Sequence, residues 1–361
     1  MSTYQEEEQI KYTIRLRAIL EELPDFLGEF FRGISNKTAI KTRVSYAYDL
    51  KLFFQYLSEH HKKLKGIPLE DMEISCLEKV KADDIDCFLE YITYYPKKDS
   101  NTNKVIYISN GEKGKARKLA SIRAMYRFFY KKEKISVNPA DVVESFKIHD
   151  KQIIHLDKNE VEELLDLVEN CNTNAMTHRQ KAHIARSQKR DFALISLLLG
   201  TGMRISECVG INMNDIDFKN NSVKVVRKGG NESTLYFNEE VQETLLDYIA
   251  QREQQKKKSE KEEALFLSNQ GKRITTRSVQ NIVKKYARIV IPAKKISPHK
   301  LRSTYATSLY QETGDIYLVA DALGHSDVNT TKKHYAAINE NQRKNAASFI
   351  KLRKNEKDVS L

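Results

Sequence analysis

Hydrophobic periodicity stops at Asn138-Pro139 and resumes at Asp157-x-x-Glu160, a capping box ahead of Val161, Leu164, Leu165 and Val168. Proline cannot continue a helix and a capping box starts a new one, so this stretch separates two folding units. The 361 residues also exceed what one core usually serves. The spacing predicts a helical unit over residues 35–145, a linker over 146–156 and a second unit over 157–340. Residues 1–34 read as a helical extension interrupted at Pro24. Residues 341–361 read as a tail helix whose Ala346, Ala347, Phe349 and Ile350 offer an apolar patch to a neighbouring subunit.

In the first unit Ile40, Val44, Ala47, Leu50, Phe54 and Leu57 recur in steps of three and four, which predicts a helix from Asn36 to His60 with one buried face. Lys37, Lys41 and Arg43 charge its first turns. A second helix is expected from about Ala82 to Tyr95, closed by Pro96, with a loop or small hairpin around Val105 to Ser109. The third, about Lys113 to Lys134, turns Leu119, Ile122, Met125, Tyr126 and Phe129 inward. Its Lys115, Arg117, Lys118, Arg123 and Arg127 are expected to face out, a one-signed surface that suits a phosphate backbone.

Within the second unit, the stretch Asn170 to Arg190 lacks any acid and gathers Arg179, Lys181, Arg186, Lys189 and Arg190. It is either a surface loop or a further DNA contact. A buried helix follows, ending in Leu197-Leu198-Leu199, and the Gly200-Thr201-Gly202 turn leads to a helix restarting at Arg204. Three short strands are expected over Asp215–Phe218, Ser222–Val226 and Ser233–Phe237, the rest being helical apart from Ala264 to Ser268. The fold class is mainly α, with a small antiparallel sheet in a mixed α/β second unit.

Charge narrows the partner. Lys and Arg number 61 against 49 Asp and Glu, a formal +12, which favours a polyanion and places nucleic acid ahead of an anionic membrane. No apolar run is long enough to span a bilayer, and the acidic start MSTYQEEEQIKY is unlike a signal peptide, so a cytoplasmic, nucleoid-associated protein is expected. Cys76, Cys87, Cys171 and Cys208 form no CxxC pair, so they read as reduced thiols.

The second unit also carries a reactive set. Breaking a phosphodiester needs a nucleophile, cations for the growing charge on the phosphate oxygens, and a proton for the departing oxygen. Arg204 follows a glycine turn at the head of a helix, where an anion is welcome. In Ser297-Pro298-His299-Lys300-Leu301-Arg302, an N-cap serine and proline at the first helical position precede His299 and Arg302, three residues apart on one face. His325 follows a glycine-terminated helix, and Tyr335 lies ten residues further on.

The strings TGMRISE, RKGG, SPHKLRSTYAT and LGHSDVNTTKKHY, in this order, resemble the tyrosine recombinase (phage integrase) family across the catalytic half. KARKLASIRAMYRFFYKKEKISVNPA is similar to the family's core-binding domain, and together the likeness covers roughly residues 35–340. The family implies a helical, SAM-like core-binding DNA-binding domain followed by the catalytic domain. Carried across, it implies that Tyr335 attacks the scissile phosphate to give a 3′-phosphotyrosyl linkage, with Arg204, Arg302 and His325 holding the non-bridging oxygens. Lys228 matches the proton donor to the leaving oxygen, His299 a residue assisting proton transfer, and Glu207 an acidic position that supports the site. Lys228 has a competitor in nearby Lys224, and Lys-Gly-Gly is also an ordinary hairpin turn. Among 18 tyrosines, Tyr335 is singled out only by its place after LGHSDVNTT.

The resemblance further implies no metal, no nucleotide and no other cofactor. It implies a double-stranded recombination site as partner, a homotetramer on two sites, and for the Xer-type members an FtsK-like translocase. With no separate arm-site domain before residue 30, the chain is most similar to the XerS-like single recombinases, which implies chromosome dimer resolution; mobile-element integration or excision is the alternative. Ser303 stands where many relatives have a second histidine, and the His325–Tyr335 interval is one residue longer than in some relatives. A type IB topoisomerase uses a similar constellation and would relax site-free plasmid. An architectural DNA-binding protein without catalysis would not need every reactive position filled.

Overall fold

Side chains spaced by three and four residues close into helices around two cores in the computed structural model, which describes residues 4–99, 102–147, 154–170, 178–227, 230–254, 262–324 and 327–328. Lys228, His325, Tyr335, Cys171 and the tail at 341–361 lie outside the described residues. Contacts divide the chain into two units, Met1–Asp150 and Lys151–Leu361. No helix among the described residues is long and apolar enough to cross a membrane.

The first unit comprises α1 (Tyr4–Leu20), α2 (Leu27–Gly33), α3 (Ile40–His60), α4 (Cys76–Lys79), α5 (Ala82–Tyr91), the hairpin β1 (Tyr94–Lys98) with β2 (Val105–Ser109), and α6 (Glu112–Lys131). Phe53, Phe54, Phe88, Ile122, Tyr126 and Phe129 from α3, α5 and α6 are buried together. Leu16, Ile19, Leu23, Leu27, Phe30 and Phe31 join the same core. Phe26 meets Phe54 and Phe129 edge to face, with centroids 5.9 and 5.5 Å apart. Residues 4–33 are thus built into this core, where the sequence pattern alone suggests an extension.

The helix expected to reach Tyr95 stops at Tyr91, and Tyr94–Lys98 pairs antiparallel with Val105–Ser109 instead, Tyr94 opposite Ser109. Tyrosines favour a strand, and in a two-stranded ribbon Pro96 can turn its missing N–H outward.

The cations of α6 are spent more locally than their spacing suggests. Lys118 is buried and donates to Asn110 Oδ1 at 2.7 Å. Arg123 donates to the Ala140 carbonyl at 3.1 Å, to the Val143 carbonyl and to Ser145 Oγ, so it braces the segment after α6 rather than facing out. Long basic stems run along the core and find nearby acceptors. Lys115 donates to Thr93 Oγ1 and sits over the Phe146 ring, while Arg127 is exposed, 3.6 Å from Asp141. On α3, Lys41 pairs with Glu8 at 3.0 Å, and Arg43 is half-buried.

Arg117 pairs with Asp49, a buried carboxylate of α3. Burial pushes the Asp49 carboxyl above its usual range, and Arg117 and Lys118 oppose that rise. A raised folded-state pKa means stability falls as pH climbs through the carboxyl range, and losing Arg117 deepens that fall. Arg117→Ala is therefore expected to destabilise the protein by about 1–3 kcal/mol at pH 7, the cost of a buried carboxylate losing its partner, and by less at pH 4. Denaturant melts of R117A and of R117A/D49N at both pH values check this; the double variant should recover stability at pH 7.

The second unit contains α7 (Lys158–Glu169), α8 (His178–Thr201), α9 (Ile205–Gly210), β3 (Ile216–Asp217), β4 (Ser222–Val226), β5 (Glu232–Tyr236), α10 (Glu239–Gln254), α11 (Thr276–Val290), α12 (Pro298–Thr313) and α13 (Ile316–Leu323). The sheet is antiparallel in the order β3-β4-β5, with Val223 opposite Ile216 and Leu235. Ala193, Leu194, Leu197 and Leu198 bury the last turns of α8, which packs on α7, α10 and α12.

The capping box at the start of α7 is made in both directions, Asp157 N–H to Glu160 Oε2 and Glu160 N–H to Asp157 Oδ1, each 2.9 Å. Just before it, Leu156 N–H donates to Thr304 Oγ1 of α12 at 2.9 Å, and Lys294 donates to the His155 carbonyl at 3.3 Å. These bonds fasten residues 155 and 156, expected within the linker, to the second unit.

The basic stretch before Arg190 is helical from His178 onward; the side chain of Arg186 lies outside the described residues. Arg190, expected as a DNA contact, is buried instead. Its Nε and Nη2 donate to Asp191 Oδ1 at 3.0 and 2.7 Å, and its Nη1 to the Leu267 carbonyl and Asn269 Oδ1, both at 3.0 Å. Asp191 Oδ2 accepts from Tyr286 OH at 3.2 Å, which completes a network tying α8 to α11 and the 267–269 segment.

Candidate active site

Of the candidate reactive residues, Arg204, Glu207, His299 and Arg302 are described, and they stand in the first turns of α9 and α12. Arg204 is the N-cap of α9, and Glu207, one turn in, holds it twice. Its carboxylate accepts from the Arg204 backbone N–H at 2.7 Å and from Arg204 Nη1 at 2.9 Å. Glu207 is 4% exposed and Arg204 35%, so the acid is the buried anchor and the guanidinium the group open to solvent. Ahead of them Gly202 adopts φ +61°, and a Cβ there would overlap the Tyr305 ring, which explains glycine on both counts. Tyr305 is packed into this turn, and burial pushes its hydroxyl above the ordinary phenol range.

Pro298 occupies the first turn of α12, as the sequence predicts, and Ser297 is the N-cap, although its hydroxyl makes no cap hydrogen bond. His299 is exposed in that turn, while Arg302 is 6% exposed, one turn further in. Arg302 Nη1 donates to the Gly202 carbonyl at 2.7 Å, and Nη2 donates to the Leu323 carbonyl. One buried guanidinium therefore bridges the turn that leads into Arg204 and the end of α13, two residues before His325 in the chain.

The α13 terminus is closed at every acceptor. Gly324, in the left-handed region at φ +61°, returns its N–H to the carbonyls of Ala320 and Asp321. The Leu323 carbonyl is taken by Arg302, and the Ala322 carbonyl accepts from Arg227 Nη2 at 3.3 Å. Two arginines thus sit at the negative end of the helix dipole, one from α12 and one from the β4–β5 connection. Arg227 was not singled out from sequence; RKGG drew attention to Lys228, and nothing in the string says which way its neighbour points. Arg227 N–H bonds the Asn231 carbonyl at 2.8 Å, so the side chain leaves the very end of β4, directly before Lys228 in the chain.

A Cβ on Gly324 would overlap the Arg227 guanidinium. Gly324→Ala is expected to lose about 1–2 kcal/mol from the left-handed backbone alone and to displace Arg227 as well. A thermal melt should show the lower midpoint.

The described geometry brings together Arg204, Glu207 and Arg302, with His299 one turn from Arg302 on α12. Residues 155–342, more than half of the chain, match the phage integrase family. A tyrosine recombinase XerC from Caldanaerobacter subterraneus subsp. tengcongensis is 34% identical over 336 residues, covering 90% of this chain and 86% of that protein. The chain belongs to the phage integrase family. Among relatives of this integrase, a tyrosine recombinase XerS from Lactococcus lactis subsp. cremoris is 26% identical, the match covering 91% of the chain and 96% of that protein. The XerC protein shares more residues and the XerS protein is spanned more completely; both are Xer tyrosine recombinases, and so is the integrase described here. The XerH site-specific recombinase bound to palindromic difH substrate, in a post-cleavage complex, superposes with a TM-score of 0.62 at 19% identity, covering 93% of this chain and 88% of that one. That likeness establishes the tyrosine recombinase fold, with its small antiparallel sheet.

Proposed function

We propose that this recombinase cuts and rejoins a specific double-stranded DNA site through Tyr335, without metal or nucleotide. The phenolic oxygen of Tyr335 forms a bond to the scissile phosphorus while the bond from phosphorus to the 5′ oxygen breaks, leaving a 3′-phosphotyrosyl linkage. Lys228 gives the 5′ oxygen its proton, with His299 assisting. Arg204, Arg302 and His325 carry the charge on the non-bridging oxygens, and Glu207 keeps Arg204 in place. The linkage retains the energy of the broken bond, so a second 5′ hydroxyl can reverse the step on a new strand.

The observation that supports this reading most is the reach of Arg302 to the Gly202 and Leu323 carbonyls. A buried arginine shared by two turns, each leading to another candidate phosphate-binding residue, makes one anion site from distant parts of the sequence. In the first unit Lys41, Arg43, Lys115, Arg117 and Arg127 remain the proposed backbone contacts, Arg117 staying exposed although it pairs with Asp49, and Arg186 of the second unit is proposed with them; Lys118 and Arg190 leave that set because they are buried, and Arg123 because its guanidinium is taken by the Ala140 and Val143 carbonyls. We further assign the chain to chromosome dimer resolution in the cytoplasm, as a homotetramer on two sites with an FtsK-like translocase as partner; its likeness to proteins named tyrosine recombinase XerC and XerS supports this reading.

A nicked suicide duplex carrying the site tests the chemistry. Cleavage should trap a detergent-resistant protein–DNA complex whose modified peptide contains Tyr335, formed equally well with a chelator present. Dimers arise from crossovers between sister chromosomes, so the filamentation of a deletion strain should disappear when homologous recombination is also removed.

A further inference from the structure

We infer that Arg227 is a positioning residue for the cleavage step, a strut that pins the end of β4, and with it the proton-donating hairpin, to the C-terminus of α13. This inference rests on the proposal that Lys228, the next residue in the chain, protonates the leaving oxygen.

Arg227 sits where strand pairing ends, since Val226 opposite Glu232 is the last pair of β4 with β5. Beyond it, among the described residues, Arg227 N–H bonds Asn231 O at 2.8 Å and Gly230 N–H bonds Arg227 O at 3.1 Å, and Gly230 has φ +90°. A two-stranded ribbon end is marginally stable by itself, so a side chain that ties it to a neighbouring element helps to fix its direction. The Arg227 side chain makes that tie, donating to the Ala322 carbonyl at 3.3 Å and filling the space that a Cβ on Gly324 would occupy. Its Nε is buried without a hydrogen-bond partner, a cost that a guanidinium bears only where something else holds it. Here the holder is the negative end of α13, the same helix end that Arg302 caps one carbonyl further on. The leaving-group side of the reaction is thereby tied to the phosphate-gripping side through adjacent carbonyls of one helix.

This role predicts a chemical signature that simple loss of fold would not produce. A 5′ oxygen leaves poorly without a proton, whereas sulfur at the same bridging position leaves as a thiolate and needs no donor. Suicide substrates with bridging oxygen or bridging sulfur should be cleaved by wild type, Arg227→Ala, Arg227→Lys and Lys228→Ala under single-turnover conditions. Lys228→Ala should lose about 10²-fold or more on oxygen, the range of general acid catalysis, and recover most of it on sulfur. Arg227→Ala should lose at least tenfold on oxygen and about twofold or less on sulfur, with Arg227→Lys in between because an ammonium still reaches one carbonyl. Equal losses on both substrates for Arg227→Ala, or no loss on either, overturn the inference while leaving the Lys228 assignment standing if Lys228→Ala is rescued. If Lys228→Ala is not rescued by sulfur, the proton-donor assignment fails and the strut has nothing to position. A melting midpoint for Arg227→Lys near wild type confirms that the rates compare folded proteins.

Discussion

Tyr335→Phe should bind the recombination site as tightly as wild type and form no covalent complex on a nicked suicide substrate, a loss of at least ~10⁴-fold in cleavage. The substitution removes one oxygen and keeps the ring, so packing is preserved and only the bond to phosphorus is forbidden. The proposed DNA-binding cations lie on other elements, and among them Arg117 and Arg127 on α6 are exposed. Gel shifts on the intact site and covalent trapping on the nicked one separate the two quantities. A residual phosphotyrosyl product in the variant would mean that another tyrosine is the nucleophile. Tyr305 is poorly placed to be that residue, being packed against the Gly202 turn with its hydroxyl's proton held more tightly by burial.

The longer helices of both units and the three strands of the second were legible because their spacing is regular and several ends carry signals such as Pro298, the Asp157–Glu160 box and Gly324, whereas the short α4 had no periodicity to show it. The residues that meet at the candidate site were legible in identity only through the order of short strings, since a single Arg-x-x-Glu or Leu-Gly-His is commonplace. What the sequence could not show was how each cation is used. Arg190 and Arg123 look like solvent-facing charges in a basic stretch, yet each finds carbonyl or carboxylate acceptors brought close by the fold. Arg227 is the converse, unremarkable beside Lys228 until α13 places its terminal carbonyls within reach. Long flexible side chains choose partners by tertiary proximity, which periodicity does not encode. Tertiary pairing also decides α5, where a helix end four residues earlier than expected converts Tyr94 and Tyr95 from a last helical turn into a strand paired with Val105–Ser109.

Arg302→Ala should separate the two duties that this arginine combines. As a clamp it satisfies the Gly202 and Leu323 carbonyls from a position 6% exposed to solvent. Truncation leaves both acceptors without their donor, at about 1–3 kcal/mol each when they stay dry, so the variant should lose about 2 kcal/mol or more of stability. For a unit of this size that corresponds to a melting midpoint lower by roughly 4–8 °C. In the proposed mechanism it also faces a phosphate whose charge grows in the transition state, and removing one such donor costs ~10² or more in rate. Site binding, spread over many cations, should persist at temperatures where the variant is folded. Arg302→Lys keeps the charge and one hydrogen bond, so it should recover most of the stability and little of the rate, because a single ammonium cannot hold two carbonyls and a phosphate in one plane. Unchanged melting of Arg302→Ala would mean that the two turns are held together by other contacts. Full cleavage activity in a folded variant would mean that the phosphate is gripped elsewhere, and the convergence of Gly202, Leu323 and Arg302 would then be a matter of architecture alone.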